Sequence, residues 1–410
     1  MESAGRPSAD ILRGLAEASS DAKITAIQAE LRLQAERPPA QAHRIAAFSE
    51  ALLQALSDTP VRSFYEFVLG HRRQLSPSYG VNLSLRAFQK QLLRHAQQWD
   101  YPKAFTEPQA WYDSFHYFLD EARPPADEIT FDLCIRDAQS NVSERYKSLK
   151  LIGNIFAARL GPKPTVLDIG CSQNLGLKRL AANLPFAPLK GSAAIFEPEA
   201  EKSFAGDSQL NDRLNNLLSS EFALAHGVGV DIWPKADPLV REWAKSCSFY
   251  PSELLQRQLL KSYERLEALD DPAVSFAHLD FAEPLPDAAG RTARRGLGLP
   301  RYELVCFSTV LYQQNRQQLE TMLANARLLV AEHGLIVVQD FARLDRLRPG
   351  RLVFEQSWFA QHYPYRTFVY DPTQPEAGFS ELMRWQNGRC EKVALNASHP
   401  AIKSFMEQSA

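Results

Sequence analysis

The stretch Thr165-Val-Leu-Asp-Ile-Gly-Cys-Ser-Gln-Asn-Leu-Gly176 decides how this chain folds. Thr165 to Ile169 is a short β-branched run of the kind that forms a buried strand. Gly170 marks the turn out of it, and Leu175 to Leu184 reads as the helix that follows. A helix also leads into it. From Asn141 to Leu160, apolar residues recur at Tyr146, Leu149, Ile152, Phe156 and Leu160, and Gly161-Pro162 stops the pattern. Asn141 and Glu144 have the spacing of a capping box at its start.

Downstream the alternation continues. Leu224 to Ile232, Val274 to Leu279, Tyr302 to Ser308 and Gly334 to Gln339 read as strands; Pro251 to Leu269 and Arg316 to Glu332 read as helices. Strands alternating with helices imply a parallel sheet covered on both faces. The end of the chain differs. Arg366 to Tyr370 and Ser380 to Trp385 are strand-like, and Gln386-Asn387-Gly388 turns into Arg389 to Leu395, an Asn-Gly hairpin signal.

The pattern divides the chain into a helical region, residues 1 to 128, and an α/β part, residues 129 to 410. In the first, Ala26 to Ala35, Ala40 to Leu56, Val61 to Leu75, Leu83 to Trp99 and Glu107 to Ala122 read as helices, broken by Ser-Pro-Ser, Tyr-Pro and Arg-Pro-Pro. Aromatics three and four apart, Phe64 with Phe67 and Trp111 with Phe115 and Phe118, are expected in its core. Residues 1 to 22 are too polar to be expected in firm order.

A chain of 410 residues suffices for two domains whose cores need neither disulfide nor metal. A formal net charge of −2 makes no electrostatic case for wrapping nucleic acid. Five scattered cysteines, none in a CxxC pair, argue against a disulfide framework or a zinc ribbon. No stretch reaches the roughly 18 to 20 apolar residues that span a bilayer. Met1-Glu-Ser-Ala-Gly-Arg-Pro7 lacks the basic start and apolar run of a secretion signal, so a cytoplasmic protein is expected. Asp113, His116 and Asp120 share a helix face but have no second cluster to complete a metal site, and no metal is expected. The oligomeric state is not readable from the sequence.

In a parallel α/β sheet the loop after the first strand lies at the strand's carboxyl end, where ligands bind. Gly170 lets the backbone approach a ligand closely. Nucleotide-binding loops usually carry two more glycines. Here Ser172 and Asn174 stand in those places, and asparagine tolerates a positive φ better than most residues. The acid narrows the choice of ligand. A carboxylate at Asp168 repels a pyrophosphate, which dinucleotide sites hold with glycine amides and a helix N-terminus. It suits S-adenosylmethionine, which carries a sulfonium and an ammonium. Asp231, ending Val228-Gly-Val-Asp231, is suited to ribose hydroxyls. Asp280, ending Phe276-Ala-His-Leu-Asp280, is suited to an adenine amino group.

On these motifs, residues from about 136 to 396 resemble the class I S-adenosylmethionine-dependent methyltransferases. Val166-Leu-Asp-Ile-Gly-Cys-Ser172 resembles their first motif, Gly229-Val-Asp231 the acidic second, and His278-Leu-Asp280 the third. The order of Gln139-Ser-Asn141, the first two motifs and Ser308-Thr-Val-Leu-Tyr312 looks most like a bacterial branch in which a helical region precedes a methyltransferase-like domain of unassigned substrate. The resemblance implies a Rossmann-like α/β fold: a seven-stranded sheet with a terminal antiparallel hairpin. It implies S-adenosylmethionine held by Asp168, Gly170, Cys171, Ser172, Asn174 and Gly176, together with Asp231, Asp280 and Ser308. Gln139, Asn141 and Arg145, before the first strand, are expected to close that site. From Asp168 to Asp231 is 63 positions, where a simple βαβ unit needs about 20 to the acid. An insertion near Phe186 to Ser220 is therefore expected to loop out.

The Asn/Asp-Pro-Pro-Tyr/Phe motif common in enzymes that methylate base or amide nitrogens is absent after the fourth strand. The expected function is thus methyl transfer to a small-molecule acceptor, with the helical region as lid, acceptor pocket or interaction module. Methyl transfer is a displacement at a sulfonium carbon, so positioning and desolvation do much of the work. Tyr312 and Asp340, at the ends of the fourth and fifth strands, are the candidate catalytic residues. Two other readings stand beside this one: a non-catalytic regulatory or interaction protein on the same fold, and an NAD-type oxidoreductase.

Overall fold

The computed structural model describes residues 19–38, 43–72, 77–95, 106–120, 125–139, 142–197, 202–247, 253–285, 301–311, 314, 316–341, 365–386 and 389–407. Helices α1 (Ser20–Glu36), α2 (His43–Ala55), α3 (Thr59–His71), α4 (Pro77–Arg94), α5 (Pro108–Phe118) and α6 (Pro125–Cys134) come first. Then come α7 (Lys147–Ile155), β1 (Thr165–Ile169), α8 (Leu175–Ala181), β2 (Ala193–Glu197), β3 (Lys202–Asp207), α9 (Ser208–Ser219) and β4 (His226–Asp231). They are followed by α10 (Pro238–Cys247), α11 (Glu253–Glu267), β5 (Val274–His278), β6 (Tyr302–Ser308), α12 (Arg316–Leu329) and β7 (Val330–Phe341). The chain ends with β8 (Tyr365–Tyr370), β9 (Phe379–Trp385), β10 (Val393–Asn396) and α13 (Pro400–Glu407). Proline opens α4, α5, α6, α10 and α13, where its missing N–H has no helical partner to lose. Among the described residues, no helix is long and apolar enough to cross a membrane.

Two compact units form: residues 1–140 with 238–264, and residues 141–237 with 265–410. The first is helical. Its core holds Phe48, with ring contacts to Trp111 at 5.0 Å and Phe115 at 5.5 Å, and Phe88, 4.7 Å from Phe115. Trp111, Phe115 and Phe118 are fully buried. Phe67 departs from the expected stripe: it is 49% exposed and stacks on His71. Helix α1 starts at Ser20, inside the stretch expected to lack firm order, because the Ser19 side chain accepts from the Ala22 amide; residues 1–18 lie outside those described.

Pro238 to Glu264 lies between two strands in sequence but packs with the helical unit. Trp243 is the reason. Its ring is fully buried in that core, and its Nε1 donates to the Asp137 carbonyl at 2.8 Å. Beside it runs an ionic cluster, buried at Lys90, Asp132 and Arg136 and more exposed at Arg94 and Glu242. Lys90 pairs with Asp132, Arg136 approaches the same carboxylate at 3.4 Å, and Arg94 bridges Glu128 and Glu242.

The second unit is α/β. Its sheet has ten strands in the order β3-β2-β10-β9-β8-β7-β6-β1-β4-β5, where seven were expected. The region 186–220 makes much of the difference. Rather than looping out, it supplies β2, β3 and α9, and β2 pairs in parallel with β10, at Ala194 with Ala394. Strands β5, β4, β1, β6 and β7 are parallel. Strands β7, β8, β9 and β10 are successively antiparallel, so the expected β9–β10 hairpin pairing forms, while Asn387 and Gly388 lie outside the described residues. The parallel strands alternate their faces. Val166, Leu304 and Leu335 pack with Leu149 and Ile152 of α7 and Leu177 and Leu180 of α8. Leu167, Ile169, Val305 and Ile336 pack with Leu319, Met322 and Leu323 of α12. Helix α12 stops at Leu329, short of the expected Glu332, because Val330 already pairs with Tyr302.

If Trp243 ties the returning segment to the helical core, Trp243→Ala costs about 3–5 kcal/mol. Hydrogen exchange is the measurement. Amides of α4 and α6 are expected to lose protection while those of β1, β4 and β6 keep theirs; equal loss in both units would contradict the packing.

Candidate functional site

The parallel part of the sheet winds outward in two directions from its middle. The chain builds β1, β4 and β5 on one side, then crosses to place β6 and β7 on the other. In doubly wound sheets such a reversal marks a crevice outside the carboxyl ends of the strands, where ligands bind, and here it falls between β1 and β6. Asp168 lies within β1 at that end, and Gly170 begins the loop to α8.

Three residues of this loop have positive φ: Gly170 at 72°, Ser172 at 52° and Asn174 at 59°. Ser172 and Asn174 therefore hold the left-handed conformation for which glycine is the default, at a cost of about 1–2 kcal/mol per residue. Hydrogen bonds hold them there. The Gly170 and Cys171 amides donate to the Val230 carbonyl at 2.8 and 3.2 Å. The Ser172 amide donates to Asp231 Oδ2 at 2.8 Å, and Asn174 Nδ2 donates to the Ser275 carbonyl at 2.9 Å. The loop sits close on β4. A Cβ on Gly229 would lie 2.4 Å from Asn174 Oδ1 and 2.6 Å from Cys171 Sγ.

Asp168 and Asp231 are both buried. Burial raises the Asp168 carboxyl to about 7; the neighbouring Asp231 adds to the rise, and the Tyr146 hydroxyl, which donates to Asp168 Oδ2, works against it. Burial also raises Asp231, opposed by the amides of Trp233 and Ser172. Burial and the same two carboxylates push the Cys171 thiol well up, which favours its neutral form.

Several polar atoms of the loop are buried and have no hydrogen-bond partner: Asp168 Oδ1, Ser172 Oγ, Gln173 Oε1 and Nε2, and Asn174 Oδ1. All but Gln173 Nε2 can accept a hydrogen bond. A buried polar atom without a partner costs about 1–3 kcal/mol, so such a row along one loop calls for an explanation.

The structure gathers most of the sequence candidates here. Asp168, Gly170, Cys171, Ser172, Asn174 and Gly176 form the loop and the start of α8. Asp231 ends β4, and the Leu279 amide donates to its carbonyl, which brings the exposed Asp280 beside it; Asp280 Oδ1 accepts from the Ala282 amide. Ser308 ends β6 at the crevice. Asp340, fully buried, lies opposite Arg366 near the end of β7. Arg145 donates to Thr309 Oγ1 at 2.5 Å. Gln139 belongs to the helical unit, while Asn141 and Tyr312 lie outside the described residues. The capping-box reading of Glu144 does not hold. The helix opens with a 3-10 turn, Ser143–Tyr146, and Glu144 instead pairs with Lys147 at 3.0 Å and Arg179 at 2.6 Å.

Sequence reasoning missed Gln173, Tyr146 and Thr309. Gln173 reads as a spacer, and nothing local shows that its side chain is buried. Tyr146 reads as one more apolar position of a helix. Its signal is Gly176, where a Cβ would lie 1.8 Å from the Tyr146 ring. Thr309 has φ 58°, rare for a β-branched residue, and nothing in its local sequence announces it.

No family model matches the chain, and no curated protein matches it. Solved structures do. An S-adenosylmethionine-dependent methyltransferase from Thiobacillus denitrificans, crystallised with S-adenosyl-L-homocysteine, aligns at TM-score 0.22 and 14% identity over 49% of this chain and 54% of its own. This chain thus spans about half the length of that protein. An S-adenosylmethionine-dependent methyltransferase from Clostridium acetobutylicum aligns at TM-score 0.26 and 9% identity, over 65% of this chain and 79% of its own. An O-methyltransferase family 2 protein from Planctomyces limnophilus, in complex with apigenin, aligns at 0.22 and 14%, over 72% and 74%.

The raised Asp168 carboxyl makes stability depend on pH with a definite sign. Its folded value, about 7, lies above the unfolded value of about 3.9. Between these the native state binds more protons than the unfolded state, so this group's contribution is full at acid pH and is lost as pH rises through 7. Asp168→Asn removes the loss. Its melting temperature relative to the natural protein is expected to be higher at pH 8 than at pH 5. A difference that is the same at both pH values would mean that Asp168 does not titrate in this window.

Proposed function

We propose that this chain is an S-adenosylmethionine-dependent methyltransferase acting on a small-molecule acceptor. The observation that carries the reading is the row of dry, unpartnered acceptors from Asp168 to Asn174. S-adenosylmethionine, when bound, supplies an electrophilic methyl group on a sulfonium, and it brings an ammonium, ribose hydroxyls and an adenine amino group as donors. These are the groups that such a row lacks. The doubly wound strand order and the antiparallel strands beyond β7 support a Rossmann-like methyltransferase fold. An NAD-type oxidoreductase fits less well, because two buried carboxylates beside the loop oppose a pyrophosphate.

The residues divide the work by position. Asp168 Oδ1 accepts from the ammonium. Asp231, whose oxygens already hold the Ser172 and Trp233 amides at 2.8 and 3.1 Å, keeps lone pairs for ribose hydroxyls. Asp280, next along the strand ends, serves the adenine end. Gly170 supplies the positive φ that turns the loop, and Gly176 leaves room for the Tyr146 ring beside Asp168. Ser308, at the end of β6, belongs with the cofactor; Arg145 closes the site, and Asp340, near the end of β7, belongs to the acceptor side, where a small molecule is oriented for in-line displacement.

Isothermal titration with S-adenosylhomocysteine and with NAD separates the two cofactors. Asp231→Asn keeps the shape of the side chain and removes its charge. It is expected to weaken S-adenosylhomocysteine by about 1.5–3 kcal/mol, one to two decades in Kd. A folded variant that binds as tightly as the natural protein would remove Asp231 from the site. Transfer of a labelled methyl group into a small-molecule extract distinguishes an enzyme from a non-catalytic binder on the same fold.

A further inference from the structure

The 3-10 turn Ser143–Tyr146 reaches both sides of the crevice with neighbouring residues. Arg145 extends to Thr309, beyond β6; Tyr146 extends to Asp168, in β1. The turn is clamped in place. Arg179 of α8 donates to Ser143 Oγ at 2.8 Å and to Glu144 Oε1 at 2.6 Å. The Tyr146 ring lies against Gly176, where no other residue would leave it room. On Asp168 the two oxygens therefore differ. Oδ2 receives the Tyr146 hydroxyl, while Oδ1 is buried and unpartnered.

We propose that Tyr146 is a positioning residue of the donor site, one that occupies Asp168 Oδ2 and so presents Oδ1, as a carboxylate, to the ligand's ammonium. The proposal rests on the reading of the loop as an S-adenosylmethionine site. A hydroxyl that donates to a carboxylate favours its charged form, and Tyr146 is suited to donate. Burial and the adjacent Asp168 hold its own ionisation far above the usual range, so it remains an O–H. Among the described residues, the other groups facing Asp168 give it no help. Asp231 of β4 repels its charge, and the thiols of Cys171 and Cys306 are kept neutral by burial. Tyr146 is thus the hydrogen-bond donor that offsets burial and Asp231.

Tyr146→Phe keeps the ring on Gly176 and removes the hydroxyl. Two readouts are needed. In the ligand-free protein, the Asp168 carboxyl is followed by carbon-13 chemical shift between pH 5 and 9; its midpoint is expected to rise by about one unit in the variant. Asp231→Asn is expected to move the same midpoint downward, since it removes a repelling charge. The Kd for S-adenosylhomocysteine is then measured over the same range. The natural protein is expected to bind more weakly as pH falls through about 7. The Tyr146→Phe profile is expected to follow the new midpoint, so that the variant binds about tenfold more weakly than the natural protein near pH 6.5 and within about threefold of it near pH 9. An unmoved midpoint, or a Kd weakened by one factor at every pH, overturns the positioning role and leaves Tyr146 as packing. Failure of the natural protein to bind S-adenosylhomocysteine at any pH overturns the donor-site reading itself, whatever the carboxyl titration shows.

Discussion

A carboxylate carried into the middle of a parallel sheet is the constraint around which the α/β unit is arranged. Asp168 lies in β1 between β4 and β6, with water nearly excluded. The effective penalty for a buried ion is several kcal/mol, so its surroundings must meet that cost or let the group take up a proton. Both happen here. Tyr146 supplies one hydrogen bond, and the carboxyl is raised to about 7. Asp231, the second buried acid, answers the same demand differently, accepting backbone amides from Ser172 and Trp233. Those amides belong to the loop and to the strand end, so the Asp231 side chain helps to hold the loop's shape.

That shape is unusual in its residues and ordinary in its geometry. Left-handed backbone at three alternate positions turns the chain tightly from β1 into α8. Glycine at each would be free of steric cost; serine and asparagine carry it, and in return bring side chains into a space that glycine leaves empty. Ser172 Oγ and Asn174 Oδ1 are two of the unpartnered atoms. Opposite them, Thr309 holds another left-handed conformation, pinned by Arg145 and by its own amide on the Gln339 carbonyl at 2.8 Å. Strained backbone thus faces the crevice from both strands, the distribution expected where geometry serves a ligand more than stability.

The helical unit is organised by a different rule. Its core is aromatic and aliphatic, yet it buries Lys90, Asp132 and Arg136 together, each at most 5% exposed. A buried pair of this kind is weak evidence for stability, because desolvation offsets its Coulomb attraction. Here Lys90 on α4 pairs with Asp132 on α6, and Arg94 on α4 pairs with Glu128 on α6 and Glu242 on α10. A segment more than a hundred residues further along the chain is thereby tied into the bundle.

By itself the sequence determined where strands and helices alternate, because β-branched runs and proline or glycine stops act over a few residues. Thr165–Ile169 and Tyr302–Ser308 fall where their patterns put them. It also determined that Asp168, Asp231 and Asp280 would stand at neighbouring strand ends, since a strand's end is a local property and parallel order then aligns the ends. Tertiary structure alone decided the rest. Ala193–Glu197 has a single β-branched residue and does not declare itself; it is a strand because Ala394–Asn396, about two hundred positions away, lies beside it. Trp243 belongs to the helical core because Asp137 accepts its N–H. Tyr146 and Gln173 matter because of which atoms lose water and which find a partner. Periodicity is written along the chain, but the partner of a buried polar atom is set by residues far away in sequence.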